Sequence, residues 1–424
     1  MRLGEKTGTK KYDHTSKMII GSKSKKLFGK KIVLCVTGSV AAVMSPEIAR
    51  ELMRHGAEVF VVMSFDARRI VHPNLLEWAT GNPVTTRLTG KTEHVQLAGE
   101  HPDKADLVLV APSTANTISK IAHGIDDTPV TTLVSTALGS NTPVLVAPAM
   151  HKSMYKNPLI AENLRKLSSM GVSIVAPRWE EGKTKMADVD TILFHVIHRL
   201  HPKPLEGRRV LVTAGPTLEW IDPVRVITNR SSGKMGVAIA WEASLRGADV
   251  TMVYGPGTAP PPSQVETIRV ETSHEMYEKT LEQLREKRFD LLIATAAMSD
   301  FKPERVYPEK LPSEKGFSLR LVPTKKLIDE AKKVSPQTFL VGFKAEVGAK
   351  REELVERAHK RLLQSGADLF VANDVGRAET CFGSDMSELY IVDREKRVEH
   401  LPLSKKTHLA SLLLDRLVAL MGKT

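Results

Sequence analysis

Cysteine is scarce in this sequence, which holds only Cys35 and Cys381 in 424 residues. Two cysteines exclude a disulfide-stapled fold and a four-cysteine metal site, and they fit a protein of the reducing cytosol. No run approaches the roughly 20 uninterrupted apolar residues that a membrane-spanning helix needs. The amino-terminal stretch also lacks the apolar core of a secretory signal. The sequence therefore predicts a cytoplasmic protein that contacts no membrane.

Aromatic residues are few as well, and the six tyrosines do not interleave with basic clusters. The formal net charge of +12 is concentrated in residues 1–31, which hold ten Lys or Arg against two acidic residues and leave the rest of the chain at +4. A basic arm over residues 1–29 is either a solvated tail or a segment that binds polyanions. The nearly neutral remainder argues against a nucleic-acid-binding protein.

The residues that are present have the composition of a globular protein, with 42% apolar and 26% charged residues. Short apolar strands alternate with amphipathic helices in both halves, which is typical of parallel sheets covered on both faces. The sequence predicts two open, Rossmann-like α/β domains at 30–200 and 207–424, joined by a proline-containing linker at 201–206. The polar, proline-containing stretch 301–318 is predicted to be a long surface loop.

Small and hydroxyl residues follow three predicted strands of the first domain. The turn TGSVAA at 37–42 opens a helix, so it either binds an anion through its backbone N–H groups or is a tight turn without a ligand. It is not the GxGxxG pattern of dinucleotide-binding proteins. APSTAN at 111–116 also allows two interpretations, a ligand contact or helix capping by Ser113. Ser64 is a third candidate contact at a strand end.

Two further segments of this domain carry side chains that suit chemistry. His94 lies in a short TEHVQL stretch, and an isolated histidine is either an ordinary surface or core residue or a catalytic base. The segment PAMHKSMY at 148–155 follows a strand and includes Met150. Methionines there either pack in the core or lie against a ligand.

In their order and spacing, these motifs resemble those of the flavin-containing cysteine decarboxylases over about residues 30–200. The resemblance implies a flavodoxin-like, trimer-forming domain with FMN at a subunit interface. It also implies that His94 is the catalytic base and that Met150 lies over the substrate. The FMN contacts that it implies are Gly38, Ser39, Ser64, Ser113, Thr114 and Ala115.

The first domain departs from that family's pattern at three places. His151 and Asp127 stand where the family usually has asparagine. The substrate loop, identified as 180–188, lacks the cysteine that serves as proton donor. Lys183 and Lys185 are the candidates for that role.

In the second domain, functional side chains are concentrated in the segment 210–236. Ser231 and Ser232 begin a predicted helix, where they either cap it or help to hold a phosphate. Arg225 and Asn229 lie close to the same turn. A basic residue beside such a turn can hold a carboxylate or a phosphate.

This segment and four later ones resemble the phosphopantothenate–cysteine ligases over about residues 207–424. The four are ATAAMSDF (294–301), PEK (308–310), VGFKAE (341–346) and ADLFVAND (367–374). The resemblance implies that Asn229 acts on an acyl-cytidylate, that Lys310 neutralises the triphosphate and the transition state, and that Asp300 holds the nucleotide or its Mg²⁺. The other implied contacts are Ala296, Ala297, Lys310, Phe343 and Arg361 for the nucleotide, and Arg225, Ser231 and Ser232 for the acid substrate. Arg361 matches one nucleotide-contacting lysine of that family, whereas a second such lysine aligns with Ser365.

The chain as a whole resembles the fused decarboxylase–ligase family of coenzyme A biosynthesis. The resemblance implies ligation of 4′-phosphopantothenate with L-cysteine, using CTP rather than ATP, followed by FMN-dependent decarboxylation to 4′-phosphopantetheine. It also implies a homo-oligomer, either a trimer of dimers or a dodecamer. Two alternatives are a flavin-binding regulatory protein without full turnover and a flavin enzyme with another substrate. The first does not fit His94 together with the complete ligase motif set, and the second leaves the ligase residues unexplained.

Overall fold

The computed structural model describes residues 14–180, 183–312 and 316–422. The chain forms two compact units, Met1–His201 and Pro202–Thr424. Each unit has a hydrophobic core of its own. Within the described ranges, no helix combines the length and the apolar character needed to cross a membrane.

The first unit is built on a six-stranded parallel sheet. Its strands are β1 (Lys31–Val36), β2 (Glu58–Met63), β3 (Val84–Thr85), β4 (Leu107–Ser113), β5 (Val144–Pro148) and β6 (Ser173–Ile174). Its helices are α1 (Ser45–Arg54), α2 (Pro73–Thr80), α3 (Glu93–Ala98), α4 (Ala115–Ala122), α5 (Pro129–Gly139), α6 (Lys152–Tyr155), α7 (Pro158–Ser169) and α8 (Val189–Leu200). A separate antiparallel hairpin consists of β7 (Arg178–Glu180) and β8 (Lys183–Lys185).

The strand order of this sheet is β3-β2-β1-β4-β5-β6, the doubly wound order of Rossmann-type folds. β1 and β4 are buried almost throughout, which explains why they read as continuous apolar runs rather than alternating ones. Cys35 of β1 lies in register between Val62 of β2 and Val110 of β4. The carboxyl ends of these strands therefore meet at one edge, and the predicted open α/β fold is confirmed.

The second half of the predicted basic arm packs against the first unit. Leu27 is completely buried, and Lys23 forms an ion pair with Glu51 of α1. A solvated tail is therefore the wrong interpretation for residues 14–29, because an apolar side chain among the lysines finds a place in the core. Residues 1–13 lie outside the described residues.

The second unit contains an eight-stranded mixed sheet and two small hairpins. Its strands are β9 (Arg209–Ala214), β10 (Leu218–Trp220), β11 (Val226–Thr228), β12 (Asp249–Tyr254), β13 (Glu266–Arg269), β14 (Leu291–Ala294), β15 (Phe301–Pro303), β16 (Leu321–Pro323), β17 (Phe339–Glu346), β18 (Leu369–Asp374), β19 (Met386–Asp393) and β20 (Val398–Lys405). Its helices are α9 (Lys234–Leu245), α10 (Ser273–Glu286), α11 (Leu327–Val334), α12 (Arg351–Ser365) and α13 (Lys406–Met421). The sheet order is β13-β12-β9-β14-β17-β18-β19-β20, and only the β18–β19 and β19–β20 pairs are antiparallel.

Two segments predicted to be irregular have more structure than their composition indicates. In the linker 201–206, Leu205 is only 2% exposed, and its N–H donates to the carbonyl oxygen of Arg246 at 3.0 Å. This end of the linker therefore belongs to the core of the second unit. The predicted loop 301–318 begins with β15, which pairs with β16 as an antiparallel hairpin, so its two ends are held together.

Candidate active sites

A cavity of about 540 Å³ opens in the second unit at the carboxyl ends of β9, β14 and β17. This is where the strand order reverses, the usual ligand position in open α/β sheets. One acidic side chain, Asp300, is among the residues that line it. Six cationic side chains line it as well: Lys234, Lys325, Lys326, Lys344, Arg361 and Lys406. Four of these cations are paired with carboxylates: Lys234 with Asp385, Lys326 with Asp300, Lys344 with Glu346 and Arg361 with Asp329. A lining this rich in cationic groups suits a ligand with several negative charges, which can replace those carboxylates as the partner.

The turn that begins α9 forms one wall of this cavity, as the sequence predicts. The Ser231 hydroxyl accepts from the N–H of Gly233 at 3.3 Å, and the Ser232 hydroxyl accepts from that of Lys234 at 3.5 Å. Gly233 has a φ of +79°, and a β-carbon there would lie 2.8 Å from the hydroxyl oxygen of Tyr254. Only glycine fits this turn without strain.

Asn229 reaches from this turn to the segment after β14. Its side-chain Nδ2 donates to the carbonyl oxygen of Ala297 at 3.0 Å and to that of Met298 at 3.2 Å. The N–H of Ala297 in turn donates to the carbonyl oxygen of Gly215 at 2.9 Å. The structure thus brings Asn229, Ala296 and Ala297 together on the cavity wall.

The residues predicted for the nucleotide lie farther along the same cavity. Asp300 accepts a hydrogen bond from the ammonium of Lys326. Phe343 contributes from β17, and Arg361 from α12. The Arg361 guanidinium is paired with Asp329, with 2.7 Å between Nη1 and Oδ1. Arg361 therefore reaches the cavity wall as a cation already partly neutralised.

Two predicted residues do not line the cavity in the described part of the chain. Lys310 is exposed on the segment between β15 and β16. Arg225 donates through Nη1 to Oδ2 of the buried Asp222 at 2.7 Å. One nitrogen of Arg225 is thus engaged within the protein, and the predicted contact between Arg225 and the acid substrate stays a prediction.

Several cavity residues escaped the sequence reasoning. Lys234 donates to the carbonyl oxygen of Gly383 at 2.7 Å and pairs with Asp385 at 2.6 Å, which ties α9 to the loop between β18 and β19. Lys406 donates to the Ser384 carbonyl oxygen of the same loop at 2.6 Å. Burial, together with the charge of Lys234, lowers the pKa of Lys406. The position of Lys234 directly after Gly233 was the one signal that could have identified it.

In the first unit, the turns after β1 and β2 adopt the predicted arrangement. A β-carbon at Gly38 would lie 2.4 Å from the β-carbon of Asp66, so this position needs glycine. The Ser39 hydroxyl accepts from the N–H of Ala41 at 3.3 Å and begins a 3₁₀ helix. The N–H of Ser64 donates to β1, so the two turns lie side by side.

Ser113 and Thr114 end β4 at the same edge. Ser113 is fully buried, yet its hydroxyl has no hydrogen-bond partner among the described residues. Thr114 caps α4, which begins at Ala115. Sequence reasoning missed Thr37, whose buried hydroxyl donates to the carbonyl oxygen of Pro112 at 2.8 Å and accepts from the N–H of Thr114 at 3.1 Å. Thr37 therefore holds the ends of β1 and β4 together.

Met150 and His94 lie on different elements of the first unit. Met150 follows β5 and packs against the core, so it lies at the edge that carries Ser113. His94 lies on α3, which packs against α5. Its Nδ1 is buried and has no hydrogen-bond partner within the described ranges.

Two residues at the positions that depart from the decarboxylase pattern, Lys185 and Asp127, form ion pairs in the structure. Lys185 on β8 pairs with Glu180 on β7 at 3.0 Å. Asp127 accepts from the ammonium of Lys120 at 2.6 Å. The side chain of Lys183 lies outside the described residues. Of the two candidate proton donors, Lys185 is thus held within a charged hairpin.

The fold and these sites define a two-unit α/β protein with a cavity lined by cationic side chains in one unit and a cluster of small and hydroxyl residues at the strand ends of the other. Residues 20–201 match the family model described as Flavoprotein. Residues 205–421 match the model described as DNA/pantothenate metabolism flavoprotein C-terminal domain.

Relatives match over nearly the full chain. The chain is 52% identical to the coenzyme A biosynthesis bifunctional protein CoaBC of Thermococcus kodakarensis, over 95% of this chain and 98% of that protein. It is 38% identical to the protein of the same description from Methanocaldococcus jannaschii, over 93% and 94% of the two chains. The Vibrio vulnificus protein of that description is 36% identical over 93% and 99%. The chain belongs to this family of bifunctional coenzyme A biosynthesis proteins, and that prediction is confirmed.

Proposed function

We propose that the second unit joins 4′-phosphopantothenate to L-cysteine at the expense of CTP, and that the first unit decarboxylates the product to 4′-phosphopantetheine. The observation that supports the ligase half is the cavity lined by six cationic side chains, four of them paired with carboxylates that a polyanionic ligand can replace. A regulatory protein that only bound flavin would need no such cavity. The family match over both units favours two enzymatic activities for the same reason.

The chemistry of ligation explains the demand for cations. A carboxylate is a poor acylating agent, so it must first become a mixed anhydride with the nucleotide phosphate, which releases pyrophosphate. That step brings a carboxylate and a triphosphate together, and fixed positive charge and backbone N–H groups stabilise it. Ser231 and Ser232 hold the acid substrate at the start of α9, and Lys310 neutralises the triphosphate.

Asn229 acts in the second step, when the amine of cysteine attacks the acyl-cytidylate and CMP leaves. Its amide nitrogen donates to the carbonyl oxygens of Ala297 and Met298, which fixes the side chain on the cavity wall. Held in this way, the side chain can orient the anhydride without losing further conformational entropy. Ala296 and Ala297 supply the adjacent main chain.

The nucleotide base lies toward Phe343 and Arg361 in this proposal. An aromatic ring offers a stacking surface for a base, and the guanidinium offers donors to its carbonyl groups. Partial neutralisation by Asp329 leaves Arg361 suited to a neutral base rather than to a phosphate. CTP is the nucleotide proposed here, with ATP as the competitor in the assays.

Mg²⁺ enters with the nucleotide. The described residues contain no group of three or more His, Cys, Asp or Glu that would hold a metal by themselves. A single protein carboxylate, that of Asp300, is enough for Mg²⁺, because this ion often binds one carboxylate and completes its coordination shell with water and substrate phosphates. The neighbouring ammonium of Lys326 would then pair with the triphosphate instead of with Asp300.

The edge of the first unit fits FMN. The unpartnered, fully buried hydroxyl of Ser113 is a polar group that a ligand can satisfy, and the turns after β1 and β2 lie side by side at the same edge of the sheet. The residues that would hold FMN are Gly38, Ser39, Ser64, Ser113, Thr114 and Ala115. When bound, FMN supplies reversible two-electron chemistry that makes loss of CO₂ feasible.

His94 and Met150 handle the substrate in the decarboxylase half. The unpartnered Nδ1 of His94 is the atom that would accept and return a proton. Met150 covers the substrate and excludes water. Lys185, held by Glu180, is the proposed donor of the final proton in place of the missing cysteine.

Self-association is part of this proposal, as a trimer of dimers or a dodecamer. Large apolar side chains stand exposed around the edge that would hold FMN, and Val40 is 80% exposed. Apolar groups clustered in this way mark interaction surfaces. The exposed apolar residues on the turns after β1 and β2 are Val40, Val43, Met44 and Phe65.

The ligase half is tested by omitting cysteine. With phosphopantothenate, CTP and Mg²⁺, the protein should release about one pyrophosphate per active site and hold an acyl-cytidylate. Adding cysteine should discharge that intermediate to CMP and amide. Release of pyrophosphate only when cysteine is present would contradict the proposed order of steps.

A further inference from the structure

One end of the cavity in the second unit takes no part in the chemistry proposed above. It is formed by Lys234 of α9, Lys406 of α13 and the loop 375–385 between β18 and β19. The main-chain N–H of Lys406 donates to the carbonyl oxygen of Asp385 at 2.8 Å. Its side-chain Nζ donates to the carbonyl oxygen of Ser384 at 2.6 Å. Two hydrogen bonds therefore fix Lys406 on the wall of this end of the cavity.

Lys406 differs from the other cationic side chains of the cavity in its partners. Four of the others are paired with carboxylates, which favour the charged form of each. The ammonium of Lys325 lies 5.2 Å from the centre of the Tyr277 ring, a contact that also favours positive charge. Nζ of Lys406 is bonded to a neutral carbonyl group and has no carboxylate in ion-pair contact among the described residues.

The surroundings of Lys406 favour its neutral form. Burial is the main cause that lowers the pKa of Lys406, and the positive charge of Lys234 lowers it further. The charges of Asp385 and Cys381 on the loop act in the opposite direction but do not outweigh these effects. With a lower pKa, a larger fraction of this lysine is neutral near pH 7 and able to accept a proton.

The amide-forming step has a proton to remove before bond formation. The amino group of free L-cysteine is largely an ammonium near neutral pH, and an ammonium nitrogen has no lone pair for attack on the acyl-cytidylate. In the described part of the chain, no histidine lines the cavity. Asp300 accepts from Lys326, and the thiol of Cys381 donates to the carbonyl oxygen of Ala378 at 3.2 Å. Lys406 is therefore the lining residue best suited to take the proton.

We propose that Lys406 is the general base of the amide-forming step, and that the end of the cavity beside it receives the amino group of L-cysteine. The inference rests on the proposed ligation through an acyl-cytidylate. Nζ of Lys406 takes one proton from the ammonium, and the freed lone pair forms the C–N bond at the acyl carbon. The bond between that carbon and the phosphate oxygen breaks, and CMP leaves with its electron pair. The second proton passes from the nitrogen to water, and Lys406 gives up its own proton to water when the products leave.

The test separates the two steps of ligation in the full-length protein. Phosphopantothenate, CTP and Mg²⁺ load the enzyme with the acyl-cytidylate, and L-cysteine is then added to start the second step alone. K406R keeps the positive charge and a donor for the Ser384 carbonyl oxygen, but a guanidinium cannot act as a base in proteins. Its rate of discharge by L-cysteine at pH 7 should fall at least about 100-fold, the scale for loss of a general base. Accumulation of the acyl-cytidylate in K406R shows that the cavity of the second unit is folded.

Hydroxylamine provides a readout that a purely structural role would not change. This amine is largely unprotonated at pH 7, so it attacks without the help of a base. Hydroxylamine should therefore discharge K406R about as fast as the wild type, whereas L-cysteine discharges it slowly. The cysteine rate of K406R should also rise about tenfold per pH unit with the fraction of free amine, while that of the wild type levels off at lower pH.

Lys405 supplies a matched control. It directly precedes Lys406, is exposed at the end of β20, and is absent from the described lining of the cavity. K405R should therefore be discharged at the wild-type rate by both nucleophiles. If K406R does not accumulate the acyl-cytidylate, K406Q is tested in the same way.

The outcomes separate the general base from the ligation on which it depends. Discharge of K406R by L-cysteine at the wild-type rate would overturn the role of Lys406 and leave the ligation intact. Equal losses with L-cysteine and hydroxylamine would also overturn it, since Lys406 would then hold the intermediate rather than take a proton. Loss of the acyl-cytidylate in both K406R and K406Q would place Lys406 in the first step and overturn it too. A wild-type protein that forms no acyl-cytidylate would overturn the proposed ligation, and the inference with it.

Discussion

Asn229 and Ala297 are joined by a hydrogen bond of 3.0 Å from the side-chain Nδ2 to the carbonyl oxygen. The bond connects the turn before α9 to the segment after β14, which are far apart in sequence. A second bond from the same nitrogen reaches Met298 at 3.2 Å. Because the amide nitrogen has two hydrogens, the asparagine uses both to fix this wall of the cavity.

Asn229→Asp should abolish ligation and spare decarboxylation. The variant replaces a hydrogen-bond donor by a carboxylate that would face two carbonyl oxygens. The side chain must therefore turn away, and the hydrogen bonds to Ala297 and Met298 are lost. We expect a fall of at least about 100-fold in the rate of amide formation. Each half reaction is measured separately, with phosphopantothenoylcysteine supplied for the second. Loss of both activities would refute the assignment of two independent sites.

His94→Asn should have the reverse effect. Asparagine can form hydrogen bonds, but it cannot take up a proton near neutral pH, so decarboxylation should stop while ligation continues. Flavin content per chain should stay at the wild-type level, which distinguishes a chemical defect from lost binding. The control is His101→Asn, on an exposed turn of the same unit. Full decarboxylase activity in His94→Asn would remove this residue from the mechanism.

Ser113→Ala should weaken FMN binding without destabilising the flavin-free protein. The hydroxyl has no partner within the described residues, so its removal costs no internal hydrogen bond and relieves a buried unsatisfied group. We expect a dissociation constant for FMN about 10-fold higher, equivalent to one lost hydrogen bond. Flavin titration and thermal unfolding of the apoprotein measure the two effects. A lower melting temperature with unchanged FMN affinity would show that the hydroxyl is structural.

The predicted fold and much of the candidate site follow from local patterns. Apolar runs such as β4 identify buried parallel strands, and the carboxyl ends of neighbouring strands meet at one edge. Ser64 and Ser113 could be placed together for that reason. Asn229 could be identified because it stands in a distinctive motif beside a helix start.

The residues that were missed depend on tertiary contacts that no local pattern carries. Lys325 and Lys406 are ordinary lysines in sequence, and only the folded sheet brings them to one cavity. The burial of Leu27 could not be predicted from the lysine-rich segment around it, because the net charge of a segment does not show whether one apolar side chain in it packs in the core.

The stability of the first unit should fall as the pH decreases from about 6.5 towards 4. Burial lowers the pKa of His55 to about 4, and its Nδ1 lies 2.7 Å from the hydroxyl of Ser24. In this range the unfolded chain binds a proton that the folded chain excludes, so His55 lowers the free energy of unfolding, by about 2 kcal/mol at the acid end after allowance for partial exposure. Urea unfolding of wild type and His55→Gln at pH 7 and pH 4.5 measures the effect. The prediction is contradicted if the free energy of unfolding of the wild type does not fall relative to that of His55→Gln between pH 7 and pH 4.5.

The most direct test of the two-activity proposal is mass spectrometry of the products formed by the purified, FMN-loaded protein. The substrates are 4′-phosphopantothenate, L-cysteine and Mg²⁺ with either CTP or ATP. The predicted result is 4′-phosphopantetheine together with CMP and pyrophosphate in the CTP reaction. Absence of both the amide and the decarboxylated product with either nucleotide would contradict the proposal.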